Sequence, residues 1–152
     1  MNRDLNVWLG NYSEDHQNEV NQKIHFVFVP LIFISVLALL WGLPSLEIGP
    51  VTFKWTYALV LGGTLFYLLL SPFYAVLMFV LSALCCVAFY FIEVKTQISI
   101  MWTFGALFVV SWIAQFYGHK LEGKKPSFLT DLTYLLIGPI WILHKLRGKS
   151  IS

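Results

Sequence analysis

Histidine is the residue type in this chain best suited to chemistry, because a neutral imidazole offers a lone pair to a metal ion near pH 7. There are four: His16, His25, His119 and His144. His16 follows Tyr12 by one helical turn. Asn18, Asn21 and His25 fall at i, i+3 and i+7, on one helical face. Ser111, Gln115, His119 and Glu122 fall at i, i+4, i+8 and i+11, again one face if the helix persists past Gly118. Such polar stripes can hydrogen-bond the rings among them. His144 opens the basic stretch Lys145, Arg147 and Lys149, which suits lipid headgroups better than a metal.

Other chemistries are excluded by what the sequence lacks. It has no His-x-x-x-His or His-x-x-His-His cluster, no His-Glu-x-x-His helix, no Gly-x-Ser-x-Gly elbow and no glycine-rich phosphate loop. The two cysteines, Cys85 and Cys86, are adjacent in an apolar run, which removes a disulfide framework and a cysteine-based zinc site. Glu93 and Lys95 read as end groups of a helix. Asn11-Tyr12-Ser13 matches a glycosylation sequon, but an inside location would make the match empty.

The elements that must position these residues are membrane helices. Of 152 residues 58% are apolar and 12% charged, about half the charge of an ordinary soluble domain, and the mean hydropathy is +0.72. A disordered chain and a nucleic-acid-binding domain are both excluded, and a net charge of +2 is too small to imply a polyanionic partner. Trp55 to Ile92 contains no Asp, Glu, Lys or Arg. As one helix it would reach about 57 Å, against a hydrocarbon core of about 30 Å. It must fold back, and Ser71-Pro72 is the place, because proline lacks an N–H and disfavours helix in the residue before it.

The expected architecture is an all-α integral membrane protein, a single domain over residues 1–152. It is a four-span helical bundle with spans at about 24–43, 55–70, 73–92 and 98–117, the last ended by Gly118. A fifth apolar segment, 128–143, is broken by Gly138-Pro139 and reads as re-entrant or interfacial. Leu5, Trp8, Leu9 and Tyr12 recur at helical spacing, which predicts an N-terminal amphipathic helix lying on the bilayer. No signal peptide is expected, since no apolar run precedes residue 24.

Charge placement sets the orientation. With four spans and both ends inside, Arg3, Lys23, Lys120, Lys124, Lys125, Lys145, Arg147 and Lys149 are cytoplasmic, leaving Lys54 and Lys95 outside. A crossing by the fifth segment would equalise the two sides, so the positive-inside rule favours four spans. His16, His25 and His119 then lie at one membrane interface, contributed by three separate elements. Three imidazoles converging at one depth can make a metal site.

Two blocks of the sequence resemble a known family. Tyr12-Ser-Glu-Asp-His16-Gln-Asn-Glu-Val-Asn21-Gln-Lys-Ile-His25-Phe-Val-Phe-Val-Pro30 is similar to the N-terminal signature of the 2-hydroxy fatty acid dioxygenases. Trp112-Ile-Ala-Gln115-Phe-Tyr-Gly118-His119, followed by Glu122, Pro126, a short apolar segment and Pro139, resembles that family's second element. Together the two cover almost the whole chain. Phe28 stands where a glycine is common, Lys145 where an acidic residue is usual, and Glu122 one position earlier than in several members. That shift bears directly on any ligand role for Glu122.

The resemblance implies a small multi-pass enzyme, in yeast of the endoplasmic reticulum and of sphingoid-base breakdown, with bacterial members whose counterpart would be the inner membrane. It implies Fe(2+) as cofactor, and a 2-hydroxy fatty acid and O2 as substrates. The product would be a fatty acid one carbon shorter. His16, His25 and His119 would be the metal-binding and catalytic residues, with Asn21 and Gln115 behind them and Glu122 and Lys120 as further candidates. A 2-hydroxy acid can chelate iron through hydroxyl and carboxylate, so no oxo-acid co-substrate is required, and its tail would stay among membrane lipid. Lys120, Lys124 and Lys125 would attract its carboxylate, as they would any anionic lipid. Two other readings stand beside the enzyme. One is a bis-His haem electron carrier using His25 and His119; the other is a non-enzymatic lipid-binding protein.

Overall fold

The computed structural model describes residues 4–123 and 128–148, with the backbone alone over 128–132. Arg3, Lys124, Lys125, Pro126 and Lys149, which entered the sequence reading, lie outside the described residues. Six helices follow in order: α1 Leu5–Glu14, α2 Glu19–Trp41, α3 Trp55–Leu68, α4 Pro72–Lys95, α5 Ile100–Glu122 and α6 Phe128–Leu146. Two short strands, β1 Leu46–Ile48 and β2 Val51–Phe53, pair antiparallel between α2 and α3. Gly49 at φ 60° opens their two-residue turn, a conformation that favours glycine.

Local chemistry accounts for the boundaries. Asn18 starts α2, its Oδ1 accepting from the N–H of Val20 at 2.9 Å and of Asn21 at 3.1 Å. The helix therefore begins five residues before the expected span and takes His25 into its second turn. Pro72 opens α4, where a missing N–H costs nothing. α5 does not end at Gly118; it runs on to Gly123, which takes φ 73°. α6 is likewise unbroken at Gly138-Pro139. Both inner glycines mark close approach rather than termination. A Cβ at Gly118 would meet Asn21 Oδ1, and one at Gly138 would lie 2.8 Å from Val29 and 3.1 Å from the Tyr12 hydroxyl.

The chain divides into two compact units, residues 1–33 with 109–152, and residues 34–108. In the first, α1 packs against α6. Leu9 and Tyr12 are buried there, so protein rather than bilayer covers part of α1's apolar face. Trp141 Nε1 donates to Ser13 Oγ at 2.8 Å, and the Tyr134 hydroxyl to Asp15 at 3.1 Å. His144 does not face headgroups. It is buried, because it continues the face that carries Ile137, Ile140 and Trp141 at i, i+3, i+4 and i+7. Lys145 lies 4.1 Å over the Trp141 ring and donates to Gln22 Oε1 at 2.9 Å.

In the second unit α3 packs on α4. Glu93 ties three elements together, accepting from Lys54 Nζ and from Trp41 Nε1, each at 2.9 Å. Outward positions such as Leu61, Val76 and Trp102 are exposed and apolar, a surface that suits lipid rather than water. α2, α4 and α5 are long and apolar enough to cross a membrane. α3, with 14 residues, reaches only about 21 Å.

Candidate metal centre

His16 lies in the turn after α1, His25 in the second turn of α2, and His119 near the end of α5. Their ring nitrogens come together, one from each ring lying within 4.8 Å of the others. The ring centroids of His119 are 5.6 Å from His16 and 5.2 Å from His25. Tyr12, Val29, Ile32, Trp112, Gln115, Tyr134 and Leu135 complete the walls of a cavity of about 40 Å³ around the three rings.

The hydrogen bonds decide which nitrogen faces the cavity. His16 Nδ1 lies 2.6 Å from the Tyr12 carbonyl, and His25 Nδ1 2.9 Å from the Asn21 carbonyl. A carbonyl oxygen only accepts, so each Nδ1 carries the ring proton and each Nε2 is bare in the neutral ring. The two Nε2 atoms then face one another at 3.0 Å. Two lone pairs at that separation repel unless a cation sits beside them. Nitrogens bound to one metal at about 2.1 Å and at right angles would themselves be about 3 Å apart, so the donor set fits a metal ion.

Burial keeps His16 neutral. Desolvation pushes its pKa from 6.5 down to about 4, helped by His119 and opposed by the bond to the Tyr12 carbonyl. The Tyr12 ring stacks on His16 with centroids 4.2 Å apart and planes 12° from parallel, while Trp141 closes behind, 5.1 Å from Tyr12.

Of the sequence-derived candidates, Gln115 lines the cavity and is buried. Asn21 orients His25 through its backbone carbonyl, while its side chain serves a second purpose with Glu122. Glu122 stands outside the imidazole group. Its Oε1 accepts from Gln17 N–H at 2.7 Å, Oε2 accepts from Asn21 Nδ2 at 2.8 Å, and both oxygens share Asn18 N–H at 3.0 and 3.1 Å. Its carboxylate thus clamps the turn that carries His16 to the helix that carries His119, and it lies at the start of α2, where an anion is favoured. Lys120 is exposed. The roles of Tyr12, Tyr134 and Trp141 were missed. Only the spacing of Tyr12 from His16 hinted at one, since the others pack from α6 across more than a hundred residues.

Replacing Glu122 by Ala strands three N–H donors and is expected to cost about 1–2 kcal/mol, the outer clamp being partly solvated. Thermal unfolding in detergent measures it, and an unchanged midpoint would show that the clamp holds nothing. The His16 shift adds a pH dependence. Its ring binds a proton below pH 6.5 when unfolded but only below about 4 when folded, so the metal-free protein should lose stability as pH falls from 6.5 towards 4. Midpoints recorded across that range, beside a His16→Asn variant with a flatter profile, check the sign.

Comparison with known proteins identifies the family. Residues 3–150 match the family described as 2-hydroxy-palmitic acid dioxygenase Mpo1-like. A Saccharomyces cerevisiae protein named 2-hydroxy-palmitic acid dioxygenase MPO1 is 30% identical over 148 residues, covering 96% of this chain and 81% of the yeast protein. No solved structure matches. With almost its whole length matched, the chain belongs to the family described as 2-hydroxy-palmitic acid dioxygenase Mpo1-like.

Proposed function

We propose that this chain is an Fe(II)-dependent dioxygenase that converts a 2-hydroxy fatty acid to the acid one carbon shorter. The observation that carries the reading is the gathering of His16, His25 and His119, in a chain similar to a 2-hydroxy-palmitic acid dioxygenase. Three neutral imidazoles hold Fe(II) while leaving positions open. Iron, when bound, supplies a Lewis-acidic, redox-active centre at which the substrate's hydroxyl and carboxylate and O2 can meet. The overall conversion balances without a further reductant: 2-hydroxy acid and O2 give the shorter acid, carbon dioxide and water.

The protein's own part is orientation and exclusion of water. The Tyr12 and Asn21 carbonyls fix two rings with Nε2 inward. Val29, Ile32 and Leu135 keep part of the wall apolar. The substrate tail stays in the membrane, each buried methylene contributing about 0.8 kcal/mol, and such an activity would serve sphingolipid breakdown in an endoplasmic-reticulum membrane or its bacterial inner-membrane counterpart.

The cluster also supports a four-span topology. His25 lies near the start of α2 and His119 near the end of α5, so the chain must return to the side from which α2 departs. An even number of crossings is needed. α2, α4 and α5 make three, and α3 supplies the fourth, its short length taken up by local thinning of the bilayer. The charge bias favours the cytoplasmic side for the site.

Two experiments test these readings. Protein purified anaerobically should contain iron, and His16→Ala, His25→Ala and His119→Ala should each lose most of it. With O2, the wild type should release the C15 acid from a 2-hydroxy C16 acid. Wild-type iron content in all three variants would remove the site, and no product would remove the activity for that substrate. For topology, Glu47→Cys and Lys120→Cys are compared in a Cys85→Ala/Cys86→Ala background, using an impermeant maleimide on sealed membranes with the outer face exposed. Four crossings predict that only position 47 reacts; labelling at both would mean that α3 does not cross.

A further inference from the structure

The cavity holds a donor that the imidazole arrangement does not use. Gln115 is 3% exposed, and its Nε2 has no hydrogen-bond partner among the described residues. It lies one helical turn before His119 on the same face of α5 and lines the space into which the rings point. An amide buried with its N–H groups unmet carries a desolvation cost that a bound acceptor would remove.

We propose that Gln115 Nε2 donates to the carboxylate of the bound ligand and so selects an acid head group. The proposal rests on the dioxygenase reading and adds a recognition element to it. A carboxylate that chelates a metal through one oxygen brings a second oxygen into the same cavity. That oxygen only accepts, carries negative charge, and is far from bulk water. His16 and His25 turn bare Nε2 atoms towards one another, where a metal would sit, and their Nδ1 protons are committed to the Tyr12 and Asn21 carbonyls. Gln115 offers uncommitted N–H groups in the same walls. Being uncharged, it also leaves the negative charge to be balanced by the metal, where a lysine would compete for it.

The test is direct ligand binding to anaerobic Fe(II)-loaded protein in lipid nanodiscs, without turnover. Affinities for a 2-hydroxy C16 acid and for the matching C16 1,2-diol are measured on wild type, Gln115→Leu and Gln115→Glu, with iron content recorded for each. The acid and the diol share the tail and the 2-hydroxyl and differ at C1. Gln115→Leu should weaken acid binding roughly 10- to 100-fold, the range of a hydrogen bond to a charged group, and diol binding by no more than about 3-fold. Gln115→Glu should weaken the acid at least as much through repulsion between carboxylates. Iron content should stay at the wild-type level, since Gln115 is not among the grouped ligands.

A merely structural residue would lower both affinities together, so equal losses overturn the proposal. Full acid preference in both variants overturns it as well and leaves the dioxygenase reading standing. A wild type that does not prefer the acid to the diol overturns both.

Discussion

Everything at the centre depends on two short hydrogen bonds from histidine Nδ1 to backbone carbonyls four residues earlier. Tyr12 holds His16 and Asn21 holds His25. Each bond fixes a tautomer as well as a rotamer, and so leaves Nε2 without a proton. Two bare nitrogens are thereby brought to 3.0 Å, a separation that is repulsive by itself and favourable around a cation. Helical geometry supplies the i−4 carbonyl for His25. For His16 the same reach is available because it sits just past the last turn of α1.

Keeping the bare nitrogens together requires separate helices to approach closely, and small residues permit it. Gly118 allows α5 to lie against Asn21, while Gly138 allows α6 to lie against Val29 and Tyr12. Glu122 then fastens what the glycines admit, by accepting backbone N–H groups from the turn between α1 and α2. The same carboxylate reaches Asn21, whose carbonyl holds His25. Clamp and imidazole cluster are therefore coupled through a single residue. Tyr12, stacked on His16, and Trp141, tilted against Tyr12, close the far side, which accounts for the neutrality of His16 through burial.

Much of this was legible from residue order. The apolar runs and the proline at residue 72 located the helices to within a few residues, because bilayer thickness and a missing N–H act locally. The stripe from Gln115 to Glu122 was readable as one face, as was the pairing of Asn21 with His25. Three expectations went astray for one physical reason. Gly118 and Gly138 were read as helix breakers, and His144 as a headgroup contact, on local propensity alone. Their neighbours come from other helices: packing against Asn21, Val29 and Tyr12 gives the glycines their use, and the shared face with Ile137, Ile140 and Trp141 turns His144 inward. Glu122, a further candidate through the family resemblance, is engaged by Gln17, Asn18 and Asn21.

The sequence by itself determined which segments are helical and which are apolar enough to cross a membrane, because hydropathy and proline geometry are properties of short stretches. The tertiary structure decided the tautomers, the clamp by Glu122, the unpaired amide of Gln115 in the cavity, and the covering of α1 by α6. Each of those depends on distances between residues up to about 130 positions apart in the chain. Such distances follow from how helices pack around small side chains, and no local pattern of residues encodes them.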